Sequence, residues 1–100
     1  MAAAGRDALR ERAQAAQNPG HRVLKDLLLY LARQLVSDPD AVRVEEIEED
    51  DGTVVLELSV AEDDYGKVIG RNGRTANALR TLVKAAAVRA NRRVLVDIVD

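Results

Sequence analysis

The stretch Gly66-Lys67-Val68-Ile69-Gly70-Arg71-Asn72-Gly73-Arg74-Thr75-Ala76-Asn77-Ala78-Leu79-Arg80 decides how this chain is read. Two glycines bracket two polar residues, between a short apolar segment and the start of a long helical pattern. Gly70 and Gly73 lack a Cβ, so a phosphodiester backbone can come close to the main chain there. A helix opening at about Gly73 aims its first N–H groups and the positive end of its dipole at the same place. Arg71 and Arg74 add charge, and Lys67 stands one turn earlier. Val68, Ile69, Ala76 and Leu79 supply apolar side chains for a groove in which bases can lie. The glycine spacing is not G-x-G-x-x-G, and no Lys-Ser/Thr pair completes a Walker loop.

After the glycines a helix is predicted from about residue 74 to residue 90, with an apolar stripe of Leu79, Leu82, Val83, Ala86 and Ala90. Asn91-Arg92-Arg93 ends it, and Val94, Val96 and Ile98 alternate in a last strand. Before the glycines, residues 64–70 predict a short helical turn with Asp64 as its cap. Residues 42–48 and 53–60 predict a hairpin turning at Asp51-Gly52, with Val54, Leu56, Leu58 and Val60 on one face. Ile47 falls out of phase with Val42 and Val44, which predicts a bulge or an early strand end. A first helix over residues 22–36 carries Leu24, Leu27, Leu28, Leu31 and Leu35, and Ser37-Asp38-Pro39-Asp40 stops it. Two amphipathic helices and three strands give an α+β domain of two layers, a three-stranded sheet packed by helices on one face. Residues 1–20 are rich in Ala, Arg and Gln and predict a flexible or weakly helical N-terminal extension, helical over residues 7–17, with Pro19-Gly20 as its boundary. Residues 21–100 form the domain.

Composition narrows the function. A chain of 100 residues, 47% hydrophobic and 32% charged, is one globular domain. It has no cysteine, so no disulfide, thiolate metal site or cysteine nucleophile is available. Its one histidine, His21, reads as an exposed residue at a helix start, and a catalytic His pair or multi-His metal site is excluded. Tyr30 and Tyr65 are the two aromatic residues, too few for a module that stacks bases on rings. Tyr65 reads as a packing residue. The longest apolar run, residues 27–32, is far below the roughly 20 residues of a membrane span. No apolar leader opens the chain, so a soluble cytoplasmic protein is expected.

The net charge of −2 hides a segregation. Residues 41–64 carry −9 and residues 65–93 carry +8. Either the basic block forms a positive patch around the glycine turn, or the two blocks neutralise each other across the surface. The acidic run from residue 45 to residue 51 lacks the EF-hand spacing and reads as a solvated, repulsive face.

The segment Val68-Ile69-Gly70-Arg71-Asn72-Gly73-Arg74 resembles the signature of KH domains, whose Gly-X-X-Gly loop clamps about four nucleotides of a single strand. The order α-β-β-α-(GXXG)-α-β resembles the type II arrangement. Asp38-Pro39-Asp40, the acidic hairpin, Asp64-Tyr65-Gly66-Lys67, Arg74-Thr75-Ala76-Asn77-Ala78-Leu79-Arg80-Thr81 and Ala85-Ala86-Ala87 together resemble the KhpA (YlqC-type) family of small bacterial RNA-binding proteins, over about residues 22–100. The resemblance implies a non-enzymatic, cytoplasmic RNA chaperone or post-transcriptional regulator linked to cell elongation and division. It implies a homodimer, or a heterodimer with a KhpB/Jag-type protein. It implies an RNA site of Gly70, Arg71, Asn72 and Gly73, flanked by Lys67, Val68, Ile69, Arg74, Asn77 and Arg80, with no metal, cofactor or small-molecule substrate. Ala76 departs from the broader KH pattern, where isoleucine is common.

Three other readings stay open on the residues. Gly-X-X-Gly is also an ordinary helix corner, and a helix-turn-helix reader of DNA has the same outline. Against the latter, the long helix is rich in Ala and Leu where base-reading side chains belong. Alternatively, the domain serves mainly to pair with a larger RNA-binding protein. Val55, Leu95 and Val99 would then offer an apolar patch on the uncovered sheet face, and Ala78, Ala85 and Val88 one on the long helix.

Overall fold

A computed structural model describes residues 19–99, with side chains from Val23 onward. The helix expected over residues 7–17 and the side chain of His21 lie outside the described residues. The elements are α1 (Pro19–Leu35), β1 (Arg43–Glu48), β2 (Val54–Ser59), α2 (Tyr65–Ile69), α3 (Arg74–Arg89) and β3 (Val94–Ile98). Single 3-10 turns at Pro39–Ala41, Glu62–Asp64 and Arg71–Gly73 join them. Helix α1 begins three residues before the predicted start, because proline is tolerated where no N–H partner is needed.

The sheet order is β1-β2-β3. Strands β1 and β2 pair antiparallel, closed by a turn in which Gly52 takes a φ of 88° and donates to the Glu49 carbonyl. Strand β3 runs parallel to β2, which requires the crossover that α2 and α3 supply. The crossover therefore dictates where the glycine turn sits: between two helices on one side of the sheet.

All three helices pack on that side. Val54, Leu56 and Leu58 are fully buried on β2, and Val94, Val96 and Ile98 continue the face on β3. Against them lie Leu24, Leu28 and Ala32 of α1 and Ala76, Leu79, Val83 and Ala87 of α3. The buried line of α3 runs through residues three and four apart, Ala76, Leu79, Val83 and Ala87, so Leu82 turns away and is 51% exposed, contrary to the predicted stripe. Leu35, at the end of α1, is also exposed rather than core. Helix α3 closes with Asn91 at a φ of 57° and the Arg92 N–H on the Ala87 carbonyl, a Schellman-like ending.

The bulge expected at Ile47 does not form. The β1–β2 register is continuous from Arg43↔Ser59 to Glu48↔Val54. Ile47 lies on the uncovered sheet face, opposite Val55, which in turn lies opposite Leu95. One apolar row thus crosses all three strands, with Ile47 41% and Leu95 48% exposed. The next row along the strands is Glu45, Glu57 and Asp97, three carboxylates on neighbouring strands. No helix among the described residues is long and apolar enough to cross a membrane.

Candidate nucleic-acid interface

Helix α2 ends at Ile69 because Gly70 adopts φ 75°, ψ 175°, a region open essentially to glycine alone. Its N–H still bonds the Gly66 carbonyl at 2.8 Å. The chain then makes a 3-10 turn in which Asn72 and Gly73 are both left-handed, at φ 57° and 73°. Asparagine is among the few residues with a side chain that visit this region readily. Helix α3 starts directly after. The predicted turn is therefore not a loose loop but a defined sequence of backbone conformations.

The predicted site residues divide into three groups. Arg71, Asn72, Arg74 and Asn77 are exposed, and Gly70 and Gly73 lie partly open beside them. Val68 is fully buried, so its side chain belongs to the core beneath the turn and not to a groove surface. Ile69 is half-buried and packs on the same core. Lys67 and Arg80 are engaged elsewhere. Arg80 Nε donates to the Val96 carbonyl on β3 at 3.2 Å, and its Nη1 donates to Asn77 Oδ1 at 3.2 Å. Arg80 thus joins α3 to the outer edge of the sheet.

Two backbone donors expected to face phosphate are also taken. The Gly73 N–H bonds the Gly70 carbonyl at 3.2 Å, and the Arg74 N–H bonds the Arg71 carbonyl. What the turn presents outward is its tip, Arg71-Asn72, with the Arg74 side chain behind it.

The charge segregation resolves by position. At the far end of the domain, Arg92 pairs with Glu48 at 3.3 Å and Arg93 approaches Asp51 at 3.9 Å. There the basic and acidic blocks meet. Among the described residues Arg71 and Arg74 form no ion pair, so two uncompensated cations stand at the glycine turn, with Lys84 and Arg89 likewise outside the ion pairs farther along α3.

Sequence reasoning missed two residues here. Thr75 covers Gly70: a Cβ at residue 70 would overlap its Oγ1 and lie 2.8 Å from its Cβ. Asp64 occupies the cap position of α2, yet its carboxylate makes no cap bond. Buried to 2% exposure, it accepts the Ser37 N–H at 3.1 Å and the Asp38 N–H at 3.0 Å. Lys67 Nζ stands 3.0 Å from the same carboxylate and also donates to Ser37 Oγ. The Ser37 N–H, followed by Lys67, holds the Asp64 carboxyl below its ordinary value of 3.8. A polar residue at a cap position carries no sequence signal for a partner 27 residues away.

Among the described residues no cluster of His, Cys, Asp or Glu is arranged to hold a metal. A three-stranded mixed sheet with helices on one face, and a Gly-X-X-Gly turn inside the β2–β3 crossover, defines a KH domain of type II order. Solved structures agree on the fold. Era, crystallised with MgGDPNP and nucleotides 1506–1542 of 16S ribosomal RNA, superposes with a TM-score of 0.55 at 16% identity, over 78% of this chain and 30% of that one.

The family model described as KhpA/KhpB, KH domain matches residues 25–98. The RNA-binding protein KhpA of Halalkalibacterium halodurans is 54% identical over 78 residues, covering 77% of this chain and all of that one. Those of Clostridium acetobutylicum and Bacillus subtilis are 50% and 47% identical, over 76% and 77% of this chain and 100% and 94% of theirs. The chain belongs to the KhpA/KhpB KH-domain family, as its sequence resemblance implied.

Proposed function

We propose that this protein is a non-enzymatic, single-stranded-RNA-binding KH domain whose site is the Gly70–Gly73 turn. The observation that carries this reading is the exposed, unpaired Arg71-Asn72 tip between two glycines, on a chain about half identical to proteins named for RNA binding. Gly73, with open space where a Cβ would stand, lets a sugar-phosphate backbone approach, and Gly70 holds the backbone conformation that places it. Arg71 and Arg74 attract phosphate. Bases turn toward the partly open Ile69 and the exposed Asn77 at the start of α3. Few nucleotides are held, so affinity is modest and falls with salt. In the cell the protein acts in the cytoplasm as an RNA chaperone or post-transcriptional regulator, with cell elongation and division as the processes served. Residues 1–20 are an extension outside the KH domain of residues 21–100.

The test is competition. A labelled single-stranded RNA pool bound to the full chain should be displaced by unlabelled single-stranded RNA and much less by duplex RNA or duplex DNA. Preferential displacement by duplex DNA would turn the assignment to a helix-turn-helix reader.

A second reading, that the domain works by pairing with another protein, is favoured by the Ile47–Val55–Leu95 row. An apolar row left open on a sheet suits a protein contact, and the carboxylates beside it repel nucleic acid. The occupant is a second copy or a KhpB/Jag-type protein.

A further inference from the structure

Lys67 looks from its sequence position like a phosphate ligand, one helical turn before the glycines. Its surroundings argue otherwise. The Asp64 carboxylate is 2% exposed and has both oxygens engaged: Oδ1 with the Ser37 N–H and Lys67 Nζ, Oδ2 with the Asp38 N–H. Lys67 itself is 47% exposed, so its ammonium reaches inward from the surface to the buried anion. It makes a further bond to Ser37 Oγ. Three segments meet at this point: the connection after α1 through Ser37 and Asp38, the 3-10 turn ending at Asp64, and helix α2 through Lys67.

A buried carboxylate that loses its cation is left with an uncompensated charge, which is strongly unfavourable. For Lys67 to reach a phosphate it would have to leave Asp64. Phosphate brought near this place would also meet the field of that carboxylate. Arg71 and Arg74 face no such competition.

We infer that Lys67 is a positioning residue rather than a phosphate ligand: held by Asp64 and Ser37, it ties α2 to the α1–β1 connection and so fixes where the glycine turn stands. This rests on the RNA reading only for its consequence in binding; the tie itself is a property of the fold. Of the four cations of the motif, Lys67 then builds the turn, Arg80 binds the β3 edge, and Arg71 and Arg74 are left to face the nucleic acid.

The test compares Lys67→Met, Asp64→Asn and the double variant in the full chain, by urea unfolding and by RNA binding across salt. In unfolding, Lys67→Met should lower the midpoint in the parent and lower it much less in the Asp64→Asn background, where only the bond to Ser37 Oγ is left to lose. Equal lowering in both backgrounds would overturn the tie. In RNA binding, Lys67→Met should keep the parent's slope of log affinity against log salt. Asp64→Asn should steepen it by up to about 0.7, the value for one added phosphate contact on a single strand, as Lys67 is released. The double variant should return to the parent slope. An Asp64 that did not hold Lys67 would move affinity when replaced by Asn, but not this slope. A fall of about 0.7 in the slope for Lys67→Met alone would make Lys67 a phosphate ligand and overturn the inference. Lys67→Met leaves both backbone bonds to Asp64 in place, so it decides the question if Asp64→Asn fails to fold. A parent chain that binds no RNA would remove the proposed function, and the unfolding comparison would still decide the tie.

Discussion

The side chain of Thr75 fills the space that a Cβ at Gly70 would need. The first glycine of the turn is thus required twice, by its backbone conformation and by its neighbour across the turn. Gly70→Ala should lower stability by about 2–4 kcal/mol, combining a glycine-only conformation with overpacking. Thr75→Ala in the same chain should recover the overpacking part and leave the conformational part. Urea unfolding of the four proteins measures this. Additive losses would show that the two residues do not meet.

The two leucines of α3 make a contrast that checks the packing. Leu79 is 3% exposed and lies between Ala76 and Val83 in the core, whereas Leu82 is mostly outside it. Leu79→Ala should cost about 2–5 kcal/mol and Leu82→Ala about 0.5 kcal/mol. Thermal unfolding of the two variants separates them, and equal losses would place the helix at a different rotation.

Acid should destabilise the domain through two carboxylates. Asp64 is lowered first by the Ser37 N–H, and Asp51 first by the Thr53 N–H, which reaches its Oδ1 at 2.9 Å. A carboxyl lowered in the folded state stabilises it fully above the unfolded value, near 3.8, and loses that contribution as pH falls through the folded value. The unfolding midpoint should therefore hold above about pH 5 and drop below pH 4. Asp64→Asn should be less stable at neutral pH and show a shallower acid limb. An unchanged acid limb would remove Asp64 as a source of the pH dependence.

The uncovered sheet face makes a prediction about association. Ile47→Lys with Leu95→Lys places charge in the apolar row, at two exposed positions, and should leave the monomer folded. If the row is the pairing surface, sedimentation at high micromolar concentration should show a dimer for the parent and a monomer for the variant. A dimer in both would move the contact elsewhere, with the exposed Ala78, Ala85 and Val88 of α3 the next surface to test.

Much of this was legible in the sequence, and the failures have physical causes. Period-2 alternation located β2 and β3, because both strands bury one face completely. Period-3.6 spacing located both long helices, but adjacent apolar residues such as Leu82 and Val83 leave the rotation of a helix ambiguous, and packing chose Val83. Ile47 misled because an exposed isoleucine breaks the alternation that a half-buried strand should show; a cross-strand neighbour, Val55, accommodates it. The glycines and the arginines of the turn were readable because each residue type has a local reason to be there. The engagements of Lys67 with Asp64 and of Arg80 with Val96 were not, since partners across the fold leave no mark in the local pattern.

The Gly70–Gly73 turn is the proposed seat of the RNA. Arg71→Asp with Asn72→Asp tests it most directly, because it reverses charge at the tip while aspartate, like asparagine, tolerates the left-handed backbone at residue 72. Binding of a short single-stranded RNA pool should be compared with the parent at the same salt, after both proteins are shown to be folded and in the same oligomeric state. The expected loss is at least about tenfold, or about 1.4 kcal/mol. Equal binding by the two proteins would contradict it.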